Sequence, residues 1–289
     1  MEPDDRDLDK RWAVRGAAYL LVAFLLPLVA GVRWIFFPTL IDQSPPAVRL
    51  LVLAPAILGA LALLLALKTE GLARAVGLLL TTGLTIIICV GTVEALMKGA
   101  LAQAMPGARG PVALPTPRSA ATMLVYQVAM TLAFVGAAFT RAREDSALGP
   151  RLSGVCGAVL LALHFVPGEG GMAIEVLGQG MLWQHLWFAP LTVVASLGFA
   201  GANLTQLFGL YEHDDLAKLA LLLGAATLLI GPFGLVWTTF WNSVALTGTV
   251  LSVVIKGWGG FVALHILMAA GVLGLLLHGL APEAEAEAR

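Results

Sequence analysis

Charge is what this chain has least of. Only 12% of its 289 residues are Asp, Glu, Lys or Arg, about half the share found in soluble domains. The scarcity, set against 59% hydrophobic residues, excludes an ordinary soluble enzyme and a disordered chain. Seventeen basic and eighteen acidic residues leave a net charge of −1. No basic footprint for nucleic acid is present. Two cysteines, Cys89 and Cys156, cannot make a disulfide framework. No Gly-rich phosphate loop, serine-nucleophile motif or His-Glu-x-x-His run occurs, which removes the commonest signatures of soluble catalysis. No internal repeat of the solenoid kind is visible.

What is there is a series of long apolar runs, each suited to crossing a bilayer core of about 30 Å. They predict an all-α fold, a polytopic membrane helix bundle of about eight transmembrane helices. The expected spans are Val14 to Phe37, Val48 to Leu67, Ala75 to Leu96, Ala120 to Thr140, Leu148 to Val166, Met181 to Leu210, Leu216 to Thr239 and Gly259 to Leu280. Residues 1–12 read as a cytoplasmic acidic leader, 13–281 as the transmembrane helical region and 282–289 as an acidic tail. The first run is too long, and too late after acidic residues, for a cleaved signal peptide. Residues 236–255 are apolar enough for a ninth span, with Gly231-Pro232-Phe233-Gly234 as the break before it. Trp237 and Trp241 suit an interface instead, which favours eight.

Lys and Arg set the orientation. With the N-terminus cytoplasmic, eleven fall inside: Arg6, Lys10, Arg11, Arg15, Lys68, Arg74, Arg141, Arg143, Arg151, Lys218 and Arg289. Six fall outside: Arg33, Arg49, Lys98, Arg109, Arg118 and Lys256. Six of the seven tryptophans also fall near the outer boundary, where indoles favour the headgroups. Compact loops and this bias point to the inner (plasma) membrane of a bacterium, with the lipid bilayer as the first partner.

Ionisable residues at membrane depth are functional candidates by default. Glu94 and Lys98 are four apart on the third span and share a helix face, as an interfacial ion pair or, for Glu94, a proton relay. Antiparallel threading puts His164, His185 and His265 in the outer third of the membrane. His213 falls in an inner turn with Glu212, Asp214 and Asp215. His278 falls near the inner end of the last span, thirteen residues after His265, or about 20 Å along a helix. The outer histidines are either interfacial, hydrogen-bonded side chains or ligands to haem or copper, for which imidazole is well suited.

The run Leu182-Trp183-Gln184-His185-Leu186-Trp187-Phe188 resembles the start of the sixth helix in the catalytic subunit (subunit I) of the haem–copper oxidase and nitric oxide reductase superfamily. Pro46-Ala47-Val48-Arg49-Leu50, Leu163-His164-Phe165-Val166 and Ile230-Gly231-Pro232 resemble further strings of that family in the same order, so the likeness runs from about Arg11 to Trp241. It implies a respiratory electron-transfer subunit with His185 as a metal ligand and His164 beside it. The family's second-helix haem histidine would fall near Val52, its His-His pair at Gly234-Leu235, and a reductase glutamate at Ala189. The family's core has twelve spans. The resemblance therefore implies a shortened relative lacking most metal ligands and unable to reduce oxygen by the family's mechanism. Other membrane subunits of a respiratory complex would be its partners. A small-solute permease using Thr81, Thr82, Thr85, Thr92, Gln127 and Asn203, and a non-catalytic scaffold or assembly subunit, are the two other functions the composition allows.

Overall fold

The computed structural model describes residues 5–26, 46–104, 117–142, 146–165, 188–209, 213–247 and 251–278. Among them are eight helices and no strand: α1 (Asp5–Leu25), α2 (Pro46–Lys68), α3 (Gly71–Ala104), α4 (Pro117–Ala142), α5 (Leu148–Phe165), α6 (Phe188–Thr205), α7 (His213–Thr247) and α8 (Leu251–His278).

Several helices run past the expected spans. α1 begins at Asp5, so most of the acidic leader is helical. α3 continues to Ala104 and α7 to Thr247, while α6 ends at Thr205 rather than Leu210. Gly231-Pro232-Phe233-Gly234 lies inside α7 and does not break it. The residues that suggested a ninth span are divided between the end of α7 and the start of α8. Apolar periodicity marks where lipid-like residues stop. It does not mark where backbone hydrogen bonding stops, which a breaker or a turn decides: α3 and α7 run on past their apolar residues and α6 stops short.

Two of the turns show how. Thr69 closes α2, with its amide and its hydroxyl both donating to the carbonyl of Leu65. Gly71 then takes a φ of 58°, a left-handed conformation open to a residue without Cβ, and α3 starts at once. After α6 the chain tightens into i→i−3 bonds from Gln206 to Asn203, Leu207 to Leu204 and Phe208 to Thr205. Gly209 ends that turn at a φ of 60°, as helix C-termini favour.

Each helix packs on its neighbours in sequence, and α8 returns to α1. The ring is pinched across the middle, because α4 meets α7 and both α3 and α4 touch α8. α3, α4, α7 and α8 thus form a central four-helix unit. α1 and α2 flank it on one side, α5 and α6 on the other. The flanking seams are made by small residues, which let backbones approach. Gly136 of α4 faces the backbone of Ser153 on α5, and Gly149 of α5 faces that of Thr140 on α4. Gly16 of α1 lies against Gly271, Gly274 and Leu275 of α8. Larger rings fill the centre: Phe134 and Phe199 meet with centroids 4.8 Å apart, and Phe134 also covers Gly224.

Polarity runs inward. Ile57, Leu58 and Leu61 on α2, Leu124, Val125 and Val128 on α4, and Leu219 and Leu222 on α7 are exposed. Thr81, Thr82, Thr85, Ser153, His164, Asn203, Gln206 and His265 are buried. Water disfavours an apolar outer face of this extent, whereas hydrocarbon accepts it. Gly71–Cys89, Ala121–Ala142 and Leu148–Phe165 are long and apolar enough to cross a membrane. Shorter apolar helices are Ala54–Lys68, Leu191–Thr205 and Ala263–His278. Apolar helices of this kind are those of a membrane protein.

The seams predict which glycines matter. A Cβ at Gly136 would stand 2.7 Å from the Ser153 amide nitrogen, so Gly136→Val forces α4 and α5 apart at a cost of about 1–3 kcal/mol. Gly201 has nothing within 4 Å of its would-be Cβ, and Gly201→Ala should leave stability unchanged. Thermal unfolding of both variants in the same detergent measures the contrast.

Candidate functional site

In His164 the two ring nitrogens are in sharply different situations. His164 is the penultimate residue of α5 and 1% exposed. Its Nδ1 lies 2.7 Å from the carbonyl oxygen of Leu160, one turn back. A carbonyl only accepts, so Nδ1 carries the proton and Nε2 is left as a lone pair. That Nε2 is buried and has no hydrogen-bond partner. The ring meets Tyr126 of α4 edge-on, with centroids 5.9 Å apart. Tyr126 in turn shares a 2.8 Å hydrogen bond between its hydroxyl and that of Ser196 on α6. Three helices therefore fix one imidazole, and its free nitrogen is an acceptor with nothing to accept. An imidazole held at Nδ1 by a backbone carbonyl presents Nε2 as metal-binding histidines do, or as a proton acceptor.

The other expected site residues are dispersed. His265 lies at the middle of α8, because that helix begins at Leu251 rather than Gly259. It is 1% exposed. α5 packs on α4 and α6, and α8 on α1 and α7, with α4 touching both α5 and α8; α4 thus separates the helices of His164 and His265. His185 lies outside the described residues. Glu94 and Lys98 fall within the helical run of α3, and their side chains lie outside the described residues. Among the described residues no group of three or more His, Cys, Asp or Glu is gathered as a metal site. Cys89 and Cys156 are both buried thiols.

At the opposite end of the bundle His278 is engaged. His278 Nδ1 is 2.5 Å from Asp9 of α1, and its ring stacks on Trp12 at 6.4 Å. Arg15 lies over the same indole, 4.9 Å from its centre. His213 opens α7 rather than sitting in a loop. The acidic run beside it is committed as well. Asp214 is paired with Lys218 one turn on and with Arg141 of α4 at 2.8 Å. Arg141 also donates to the carbonyl of Leu277 near the end of α8. One guanidinium thus ties α4, α7 and α8 together, and a carbonyl left open at a helix end is capped by a cation. The Asp214–Lys218 pair was readable from its spacing of four. The Arg141 contacts join residues too distant in sequence for any such signal.

A polar layer lies between the ends. Thr140 donates to Gln206 Oε1 at 3.0 Å, Ser153 donates to Asn203 Oδ1, and Asn203 Nδ2 donates to the Phe199 carbonyl at 2.8 Å. These bonds lock α4, α5 and α6 side by side, as polar residues do within apolar bundles.

The charged end predicts acid sensitivity. Partial burial pulls the Asp214 carboxyl up, but hydrogen bonds and charge from Lys218 and Arg141 outweigh it and hold it below the ordinary carboxylate value. Ionised Asp214 therefore favours the folded state above that ordinary value, and the contribution is lost as pH falls through the lower native one. Arg141→Gln should shrink this acid-dependent loss, which unfolding curves between about pH 5 and 2 would register. No family model, curated protein or solved structure matches the chain.

Proposed function

We propose that the chain is a multi-pass membrane subunit associated with respiratory electron transfer, in which His164 ligates haem or copper near the outer face. One observation carries the reading: the His164 Nε2 lone pair is buried without a partner while Nδ1 is held by the Leu160 carbonyl. An orphaned acceptor in a dry bundle costs about 1–3 kcal/mol, and binding a metal would remove that cost. The fixed tautomer, the edge-on Tyr126 and the Tyr126–Ser196 bond are the supports a ligating imidazole needs. His185 is the second ligand in this reading, on the strength of its resemblance to the haem–copper family's sixth helix. His265 is a further candidate, at the middle of α8.

The same proposal has about eight spans and a cytoplasmic N-terminus, in the plasma membrane. The eleven-to-six bias of Lys and Arg supports it. So does the clustering of Asp9, Arg141, Asp214, Lys218 and His278 around α1, α4, α7 and α8, the helix ends that antiparallel threading puts inside. Bound haem or copper would supply one-electron chemistry. The chain's own part is to present Nε2, exclude water and fix the ring.

The test is a reduced-minus-oxidised visible spectrum of the protein purified in mild detergent, with metal analysis of the same sample. Haem bands or stoichiometric copper are expected, reduced or shifted in His164→Ala and His185→Ala. A colourless, metal-free protein overturns the ligand reading.

A second reading rests on the Thr81 and Thr82 hydroxyls, which are buried without hydrogen-bond partners on α3. Unpartnered hydroxyls inside a bundle are what a polar path for a small solute would display. Uptake into proteoliposomes, reduced by Thr81→Val together with Thr82→Val, is its expected outcome. No flux of any small polar solute removes it.

A further inference from the structure

We propose that Cys89 and Met268, with His265 one turn from Met268, form a binding site for a soft monovalent metal ion, Cu(I). The site is on α3 and α8, apart from His164, and stands whether or not that histidine binds a cofactor.

The sulfur pair is the starting observation. The Cys89 thiol donates a hydrogen bond to Met268 Sδ, with the two sulfurs 3.7 Å apart across two helices and 179 positions of sequence. Metal–sulfur bonds of about 2.3 Å meeting at a tetrahedral angle put two sulfurs about 3.8 Å apart. The pair already has the separation that a shared ion requires, so loading needs no movement of α3 against α8. His265 precedes Met268 by three residues, which puts both on one face of α8.

The donor chemistry selects the ion. Thiolate, thioether and imidazole together favour Cu(I), while Mg²⁺ and Ca²⁺ require oxygen ligands. Charge points the same way. Cys89 is 1% exposed, Met268 0% and His265 1%, so an uncompensated charge there is strongly disfavoured. One thiolate and one Cu(I) sum to zero. A divalent ion on the same three donors would leave a full positive charge buried. On loading, the Cys89 S–H bond breaks, the S–Cu bond forms and the proton leaves to solvent. Copper stays Cu(I) throughout, and no electron moves.

The two sulfurs lie within the hydrophobic core, and a row of hydroxyls leads to them along α3. Thr81, Thr85 and Cys89 recur every four residues along α3 and are all buried. Thr85 donates its hydroxyl to the Thr81 carbonyl at 2.8 Å, whereas the Thr81 and Thr82 hydroxyls have no hydrogen-bond partner. The sulfur pair therefore ends a polar stripe inside the bundle.

The experiment is an anaerobic titration of the detergent-purified full chain with Cu(I), in competition with a chromogenic Cu(I) chelator, followed by X-ray absorption at the copper edge. One tightly held Cu(I) per chain is expected, with two sulfurs at about 2.3 Å. Cys89→Ser and Met268→Leu should each weaken retention at least tenfold, and Cys156→Ser, at the other buried thiol, should leave it unchanged. Met268→Leu keeps the core volume, and thermal unfolding without copper shows that each variant is folded. Where a variant fails to fold, the copper-edge spectrum of the unaltered chain decides: a two-sulfur shell supports the site, and a shell of nitrogen and oxygen alone overturns it. The proposal is equally overturned if the unaltered chain retains no Cu(I), if folded Cys89→Ser and Met268→Leu chains retain it undiminished, or if Cys156→Ser abolishes retention in their place.

Discussion

Close backbone approach between helices is the constraint on which the rest of this structure depends. At the α4–α5 seam Gly136 and Gly149 each leave room for the other helix's backbone. Because the backbones are near, short polar side chains can reach across, and Thr140, Ser153, Asn203 and Gln206 do so. With larger residues at the seam, those hydroxyls and amides would be too far apart to bond and would sit unpaired in an apolar interior. The seam chemistry and the interior polarity are thus one feature. The Nε2 of His164 is left without a bond, as is the Gln206 amide nitrogen in the layer itself.

The polar groups divide by position. At one end, charges pair between helices: Asp9 with His278, and Asp214 with Arg141 and Lys218. Among the described residues, the contacts in the middle of the bundle are neutral, made by hydroxyls, amides, sulfurs and imidazoles. The gradient follows from dielectric. Ion pairs are tolerated where water is near and become costly where it is absent, and neutral hydrogen bonds take over with depth.

The fold class was legible because apolar runs need no knowledge of partners. α5 was anticipated to within a residue, since Leu148 and Phe165 bound a run with turn residues on either side. The ends of α3 and α7 and the starts of α1 and α8 were not, because a helix continues by backbone hydrogen bonding whether or not the expected apolar run does. The Trp237–Trp241 stretch, taken for an interface, continues α7. Of the candidate site, the sequence offered a depth for His164 and His265 but not their burial, which depends on the direction each helix face turns. The Nδ1 bond to Leu160 follows from a spacing of four that any helical histidine has. What no spacing could reveal is which histidines share a helix pair, since that depends on how eight helices close. The contact of Cys89 with Met268 belongs to the same class. It was hidden because 179 residues separate the two, and each alone reads as a small or flexible filler.

The closure of the ring has a consequence for how the molecule is made. α1 is translated well before α8, yet Gly16 packs on Gly271 and Gly274, and Asp9 bonds His278. Through most of synthesis the inner face of α1 has no counterpart, and its glycine and aspartate must wait for a partner not yet emerged from the ribosome. The earlier pairs, α2 with α3 and α4 with α5, can join as soon as each is complete. Assembly of this bundle is therefore sequential for its hairpins and all-or-none for its final seam.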